Sequence, residues 1–488
     1  MAWALGLGAV TGPKQRFELR RKTRRQAEKN ASVPIVAPVV ASAPTSPAGL
    51  GARRLAVNMI ETVIRERRPL ARAPTDGAKS AADEVLEPRD RAFAHLVAMT
   101  VLRRYGSLGA VLDRFIDRPL PDAGARARTI MLAASAQILL LGTPVHAAVD
   151  LAVEQCRRQR SALPYAKLAN AVLRRVAKEG PTILDTLDTG RLDVPEWMYR
   201  RWVKHYGEKR AHEIARASLL EAPLDLSVKS DAVGWAQKLG GQVLATGSVR
   251  LLQHARVDEL PGYGDGAWWV QDAAAAVPAR LLGNVAGLRV ADLCAAPGGK
   301  TAALAAAGAR VTAVDVSPQR LEIVARNVTR LGLAGTVEIV AADIETWQAP
   351  KLFDAVLLDA PCSATGTIRR HPDILHLKRA DDIARSAVVE ARLLARAAGI
   401  VKPGGLLVYC TCSLEPEEGE QCVAKFLEGG EFVREPLVAG DLGGRADWIT
   451  RDGDLRTFPF QNPGSGDVGS GGGMDGFYAA RLRRRVGV

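Results

Sequence analysis

Two cysteines at the ends of predicted strands carry the chemistry open to this chain. Cys362 stands in Asp359-Ala-Pro-Cys-Ser, and Cys412 stands in Tyr409-Cys-Thr-Cys-Ser. Upstream lies a glycine loop, Asp292-Leu-Cys-Ala-Ala-Pro-Gly-Gly-Lys300, of a kind that holds a nucleotide cofactor. A cofactor loop followed by two strand-end thiols suits one difficult reaction, methylation of carbon 5 of a pyrimidine. That carbon is a poor nucleophile until a thiolate adds to carbon 6 and makes it enamine-like. After methyl transfer a base must strip the carbon 5 proton so that the thiol can leave. Covalent catalysis of this type splits one hard step into easier ones. A free cysteine has a pKa of roughly 8.5, so local donors must favour the thiolate, and the sequence does not show which. Two plainer readings compete. Each cysteine taken singly is more often an inert core residue. Cys410, Cys412 and Cys362 could also approach one another as metal ligands, but no Cys-x-x-Cys pair or His partner at ligand spacing accompanies them.

The elements that must position these residues form an alternating series. From Arg289 onward, strands and helices follow one another in the doubly wound manner. Predicted strands are Val290–Leu293, Val311–Val316, Val337–Asp343, Phe353–Asp359, Gly405–Cys410 and a final Phe477–Leu482. Ser317-Pro318 opens a helix to about Gly332, with Ser as N-cap and Pro at the first helical position. A long Ala/Leu/Arg-rich helix ends near Gly399. Such sheets bind ligands at the carboxyl ends of their strands, where Asp292, Asp315, Asp343 and Asp359 all fall. Gly298 and Gly299 let backbone approach the ligand. Asp315 can accept both ribose hydroxyls, and Asp343 can reach an adenine amino group. Asp359 is placed near pyrimidine N3. It supplies a proton to N3 if burial raises its pKa, or else holds the base. The loop lacks the Gly-x-Gly-x-x-Gly spacing of dinucleotide sites and the glycine spacing of phosphate-binding loops.

The bulk composition agrees with a nucleic-acid partner. A length of 488 residues predicts two to four domains, and 47% hydrophobic residues are ample for their cores. The net charge of +13 favours an anionic partner, of which nucleic acid is the commonest. Six irregularly spaced cysteines make no disulfide framework and indicate a reducing, cytoplasmic setting. No apolar run approaches a membrane span. The apolar start, Met1–Val10, has its positive charges after it, which is the wrong order for a secretory signal. The expectation is a monomer with no membrane association.

Along the chain, residues 1–50 read as a disordered tail: residues 14–29 carry eight Lys/Arg, and residues 31–50 are mostly Ala, Pro, Val and Ser. Residues 51–180 read as a helical module that folds on its own. Leu55, Met59 and Val63 recur at four-residue spacing, as do Val97, Val101 and Tyr105. Thr129–Leu141 is apolar nearly all round and predicts a central buried helix ended by Gly142 and Pro144. His95 and His146 are lone histidines, read as structural. A linker is expected over residues 181–195, inside a small α+β unit spanning 181–285. In Trp197–Gly207 aromatics interleave with Arg200, Arg201, Lys204 and His205, which suits either a phosphate-tracking face or core aromatics beside a solvated one. Residues 286–488 form the doubly wound domain, interrupted by a Gly/Ser/Pro-rich loop at 461–473 that reads as flexible.

These residues resemble the RsmB/Sun-type bacterial RNA cytosine-5 methyltransferases. The resemblance rests on Asp292–Thr301, Asp359–Gly366, Ile368-Arg-Arg-His-Pro-Asp-Ile374 and Thr411-Cys-Ser413, with echoes in Arg456–Pro459 and Met474–Phe477. Thr143–Val149 and Asn170–Arg175 are similar to the NusB-type helical RNA-binding domain of this subgroup. The resemblance spans about residues 53–488. It implies a multidomain fold: an all-α NusB-like domain, a small α+β subdomain, then an α/β Rossmann-like methyltransferase domain. It places the nucleophile on Cys412 and the product-releasing cysteine on Cys362. S-adenosylmethionine contacts fall on Cys294, Ala295, Ala296, Pro297, Gly298, Gly299, Lys300, Asp315, Asp343 and Asp359. The implied substrate is a single cytosine of 16S rRNA, met free or early in small-subunit assembly. The alternatives are a DNA, tRNA or other RNA substrate for the same chemistry, or a non-catalytic RNA-binding assembly factor. Cys410 departs from the Ala or Ser expected there, and the loop at 461–473 is longer than usual.

Overall fold

The computed structural model describes residues 47–70, 86–253, 256–464 and 472–487. All but the last four residues of the expected tail, and the centre of the 461–473 loop, lie outside these. Helices α1 (Leu50–Ile64), α2 (Pro88–Arg103), α3 (Tyr105–Asp113), α4 (Ala125–Leu139), α5 (Val145–Arg157) and α6 (Ala166–Thr186) build the N-terminal domain. Every residue of α4 from Thr129 to Gln137 is buried, as its nearly uniform apolar sequence requires. Around it, Val57, Ile60, Val97, Val101, Leu108, Leu112 and Leu173 close one core drawn from this domain alone.

The expected linker does not begin at residue 181. Helix α6 runs through Gly180-Pro181 to Thr186, and Ile183 and Leu184 still pack on the helical core. Gly180 marks a close helix approach rather than a loop: a Cβ there would lie 3.0 Å from Leu139 Cδ2. A short α7 (Thr189–Leu192) follows, then α8 (Glu196–Tyr206) and α9 (Glu208–Ser218).

The next unit is antiparallel. Strands β1 (Asp225–Val228), β2 (Gly241–Val243), β3 (Val249–Leu251) and β4 (Trp268–Val270) lie in the order β2-β3-β1-β4, with α10 (Ala232–Leu239) against them. Leu226, Val249 and Trp268 form its core. The β-prone runs Leu224–Val228 and Ser248–Leu252 of the sequence contain β1 and β3.

After α11 (Val277–Arg280) comes the main sheet: β5 (Arg289–Leu293), β6 (Arg310–Asp315), β7 (Val337–Ala341), β8 (Phe353–Asp359), β9 (Val401–Thr411), β10 (Phe432–Arg434), β11 (Leu455–Thr457) and β12 (Phe477–Arg484). Helices α12 (Gly299–Ala306), α13 (Pro318–Arg330), α14 (Ile374–Leu377), α15 (Ala380–Gly399) and α16 (Glu420–Leu427) connect them. The order is β10-β12-β9-β8-β5-β6-β7, with β11 on β12. Strands β5 to β9 are parallel, and β12 is antiparallel to β9. The chain reverses its direction of travel between β5 and β8, so a crevice is expected at the carboxyl ends of those two strands. Strand β9 starts earlier and ends later than the sequence indicated. Among the described residues, no helix is long and apolar enough to cross a membrane.

Candidate active site

The two cysteines meet. Cys362, three residues past β8, and Cys412, the first residue past β9, have their Sγ atoms 3.4 Å apart. Register explains this, because Asp359 pairs with Cys410 across the two parallel strands. The contact with Cys412 first, and burial second, hold the Cys362 thiol well above its ordinary range.

The turns carrying them are fixed from below. Ser363 N–H and Oγ–H both donate to the buried Glu418 carboxylate, at 2.9 and 2.5 Å. Thr365 Oγ1 accepts from Leu414 N at 3.0 Å, and Ser413 Oγ accepts from Glu415 N at 2.9 Å. Gly366 N donates to the Cys412 carbonyl at 2.9 Å, and Gly476 N donates to the Gly366 carbonyl at 2.8 Å. Glycine is required at 366: a Cβ would fall 1.9 Å from Gly476 O and 2.8 Å from Cys412 O.

Asp359 is gripped by a residue the sequence assigned only to the cofactor loop. Lys300 Nζ donates to Asp359 Oδ2 at 2.7 Å and lies 5.0 Å from the centre of the Phe477 ring. Burial pulls the Lys300 pKa down, but Asp359 and its other anionic neighbours overcome this and leave it raised. Lys300 therefore stays an ammonium. Cys410, wholly buried, lies 3.5 Å from Asp359 Oδ1. Burial and then Asp359 hold its thiol in the protonated form. That makes Cys410 a packed donor beside the carboxylate.

The cofactor loop lies on the other side of the same crevice. Cys294 (φ 60°) and Gly298 (φ 99°) take left-handed backbone, which lets the loop fold tightly after β5. Asp292 is fully buried, and Thr301 Oγ1 donates to its Oδ2 at 2.5 Å. Its Oδ1 has no partner among the described residues, and burial pushes its pKa up to about 7. Asp315 ends β6 as expected. Its oxygens accept from Ala296 N at 3.2 Å and Ser317 N at 3.1 Å, with Arg320 Nη1 3.3 Å away. Asp343 lies two residues past the end of β7, exposed, with Oδ1 accepting from Glu345 N at 2.9 Å. Asp315→Ala removes the carboxylate that the sequence assigns to a ribose hydroxyl, an interaction worth about 1.5–3 kcal/mol. Calorimetry with S-adenosylmethionine, the cofactor implied by the sequence resemblance, should then show affinity falling by roughly tenfold to a hundredfold. An unaltered cofactor affinity would place the ribose elsewhere.

Helix α8 resolves toward a structural role. Arg201 pairs with Glu415 (2.6 Å) and Glu417 (2.7 Å), Trp202 Nε1 donates to Glu415 at 3.3 Å, and the Tyr206 hydroxyl donates to the Leu414 carbonyl. Its aromatics belong to a core containing Ile368, Leu414 and Phe458. This helix braces the turn after Cys412 and spends Arg201 on it.

Two features escaped sequence reasoning. Arg370 Nε donates to Asp475 Oδ2 at 2.9 Å, joining the Arg-Arg-His-Pro stretch to the Met-Asp-Gly-Phe stretch. Glu390, on α15, is fully buried, and among the described residues neither carboxylate oxygen has a hydrogen-bond partner. The neighbouring Tyr409 hydroxyl donates instead to the Glu418 carbonyl at 2.6 Å. Burial, and then Glu418, push the Glu390 pKa up to about 10. Unfolded, it ionises above its ordinary value of 4.5. Between those two pH values the folded state holds one more proton, so stability falls as pH rises. The slope approaches an upper limit of about 1.4 kcal/mol per pH unit. Glu390→Gln should remove that slope, so its melting temperature should gain on the wild type from about pH 5 to about pH 8. Parallel melting curves across that range would show that Glu390 is ionised in the fold.

A doubly wound sheet with its crevice at β5/β8, a glycine loop, strand-end acids and paired thiols defines a nucleotide-cofactor methyltransferase domain. Residues 279–483 match the 16S rRNA methyltransferase RsmB/F family, and residues 50–178 match the NusB family. The chain is 38% identical over 407 residues to ribosomal RNA small subunit methyltransferase B of Xanthomonas campestris pv. campestris, covering 79% of this chain and 90% of that one. It is 33% identical over 449 residues to the protein of that name from Salmonella newport, covering 89% and 98%. The crystal structure of PH0851 shares the fold, with a TM-score of 0.67 over 90% of this chain and 99% of that one at 23% identity. A methyltransferase homologue from Pyrococcus horikoshii gives 0.50 at 28% identity, over 62% and 99%. The chain belongs to the 16S rRNA methyltransferase RsmB/F family, and it is an RNA methyltransferase with a NusB-like helical domain ahead of a Rossmann-like one.

Proposed function

We propose that this protein methylates carbon 5 of one cytosine in 16S rRNA, through a covalent bond between Cys412 and carbon 6, with S-adenosylmethionine as methyl donor. The observation that carries the reading is the 3.4 Å contact between the Cys412 and Cys362 thiols beside the Lys300–Asp359 pair. A target base standing over Cys412 has a second thiol at hand for its carbon 5 proton. The relatives named for small-subunit ribosomal RNA support the substrate.

The residues present fit the cofactor. The unpartnered buried Oδ1 of Asp292 can take an ammonium hydrogen, Asp315 offers a carboxylate at the ribose position, and Gly298 and Gly299 keep the loop bare. When bound, the cofactor supplies an electrophilic methyl group on a sulfonium. The protein's residues do the rest. The Cys412 thiolate adds to carbon 6, and the carbon 5–carbon 6 electron pair shifts onto the ring, where the Lys300 ammonium held by Asp359 offsets the charge at N3. The electrons then flow back to carbon 5, which takes the methyl group. Once Cys412 is bonded to carbon 6, the contact that chiefly holds up the Cys362 pKa is gone. Cys362 gives its proton to solvent and, as thiolate, removes the carbon 5 proton; the double bond re-forms, and the carbon 6–sulfur bond breaks to release Cys412.

Bisulfite mapping of ribosomal RNA from a strain lacking this protein tests the reading. One protected 16S cytosine should become convertible, and the purified protein should restore 5-methylcytosine there. Restoration on tRNA alone, or a methyl group on another ring atom, would overturn it.

A further inference from the structure

The stretch Gly366–His376 links the cysteines to the helical domain. On one side it touches the thiol-bearing turn: Gly366 N donates to Cys412 O at 2.9 Å, and Arg370 is tied to Asp475 at 2.9 Å, next to Gly476, whose N–H donates to Gly366 O. On the other side it is gripped by α2 and its neighbours. Arg103 Nη2 donates to the Arg369 carbonyl at 2.9 Å in a buried contact. His376 Nε2 donates to the Leu102 carbonyl at 2.7 Å, and its ring sits edge-on to Tyr105 at 5.3 Å. Leu70 N donates to Asp373 Oδ2 at 3.2 Å, and Arg67 donates to the His376 carbonyl.

An RNA-affinity module tethered to an independent enzyme would not need these bonds. They fall on one short segment, two on its carbonyls and two on its Asp373 and His376 side chains, and that segment's far side hydrogen-bonds the nucleophile's own carbonyl. Arg103 is buried and lies in the field of Glu221 and Arg369. Among the described residues, its side-chain hydrogen bond goes to the carbonyl of Arg369, immediately before Arg370. An error of about 1 Å at a reacting atom can cost about a hundredfold in rate, so holding this segment is a contribution to turnover.

Resting on the function proposed above, we infer that the helical domain sets the geometry of the catalytic turn, with Arg103 as the positioning residue that clamps the Gly366–His376 segment from outside the methyltransferase domain. Two substitutions test this on the full chain with 16S rRNA. Arg103→Gln should lower kcat by about tenfold or more, while the RNA KM and S-adenosylmethionine affinity stay within about twofold, because on this inference the lost bond aligns the reacting thiols and touches neither ligand. Arg103→Lys, which keeps a cationic donor on a stem long enough to approach the Arg369 carbonyl, should recover part of the rate. His376→Phe keeps a ring against Tyr105 and loses the bond to Leu102; it should show the same kcat-only defect, and it decides the matter if Arg103→Gln does not fold. A raised RNA KM at unchanged kcat in these variants would make the contacts part of RNA affinity and overturn the inference, as would wild-type kinetics in both. Wild-type protein that methylates no ribosomal RNA would instead overturn the function on which the inference rests.

Discussion

Cys412→Ala should reduce methyl transfer by at least about 10⁴-fold, since removing a covalent nucleophile leaves only binding and orientation. Cofactor affinity should stay within about twofold, because the cofactor loop follows β5 and makes none of its hydrogen bonds to Cys412. The fold should hold as well: Cys412 is only partly buried, and the Gly366 N–H donates to its carbonyl, not to its thiol. Filter-binding assays of methyl incorporation, paired with calorimetry of the cofactor, check both halves. Full activity in this variant would mean that the nucleophile is another residue, and Cys362 would be examined first.

The second large effect belongs to Cys362→Ala. With the carbon 5 proton left in place, Cys412 cannot be expelled, so turnover should fall by roughly 10²–10⁴-fold, the range of a lost general base. Methylated RNA should stay bonded to the protein as a slow-migrating band on a denaturing gel. The geometry makes the contrast sharp, because the two thiols are 3.4 Å apart and yet their losses should look opposite. Cys412→Ala should show no adduct, and Cys362→Ala should accumulate it. Normal turnover without adduct in Cys362→Ala would leave Cys362 a structural residue.

Much of the site could be read from sequence because its parts are local. Cys294–Lys300, Asp292, Asp315, Asp359, Cys362 and Cys412 each sit at the end of a strand whose apolar run is plain, and parallel register does the assembly. What stayed hidden is pairing across long separations. Lys300 reaches Asp359 across 59 positions, Ser363 reaches Glu418 across 55, and Arg370 reaches Asp475 across 105. The Arg103 contact with Arg369 spans 266. No periodicity encodes such partners, since each depends on which strands become neighbours. The misplaced linker has a different cause. Gly-Pro ordinarily signals a break, but at 180–181 the glycine serves a close helix contact with Leu139, and tertiary packing carries the helix onward. In Trp197–Tyr206 the sequence left an RNA face and a core face level, and the ion pairs of Arg201 with Glu415 and Glu417 decide for a brace.

The most direct measurement of the central claim uses 16S rRNA carrying 5-fluorocytosine at the target position. Fluorine cannot be removed as a proton, so the reaction halts after methyl transfer with the protein still bonded to carbon 6. Digestion and peptide mass spectrometry of the trapped complex should find the nucleotide on Cys412 in the wild type, with trapping dependent on S-adenosylmethionine. A nucleotide found on Cys362, or no covalent complex at all from protein that methylates normal RNA, would contradict the account.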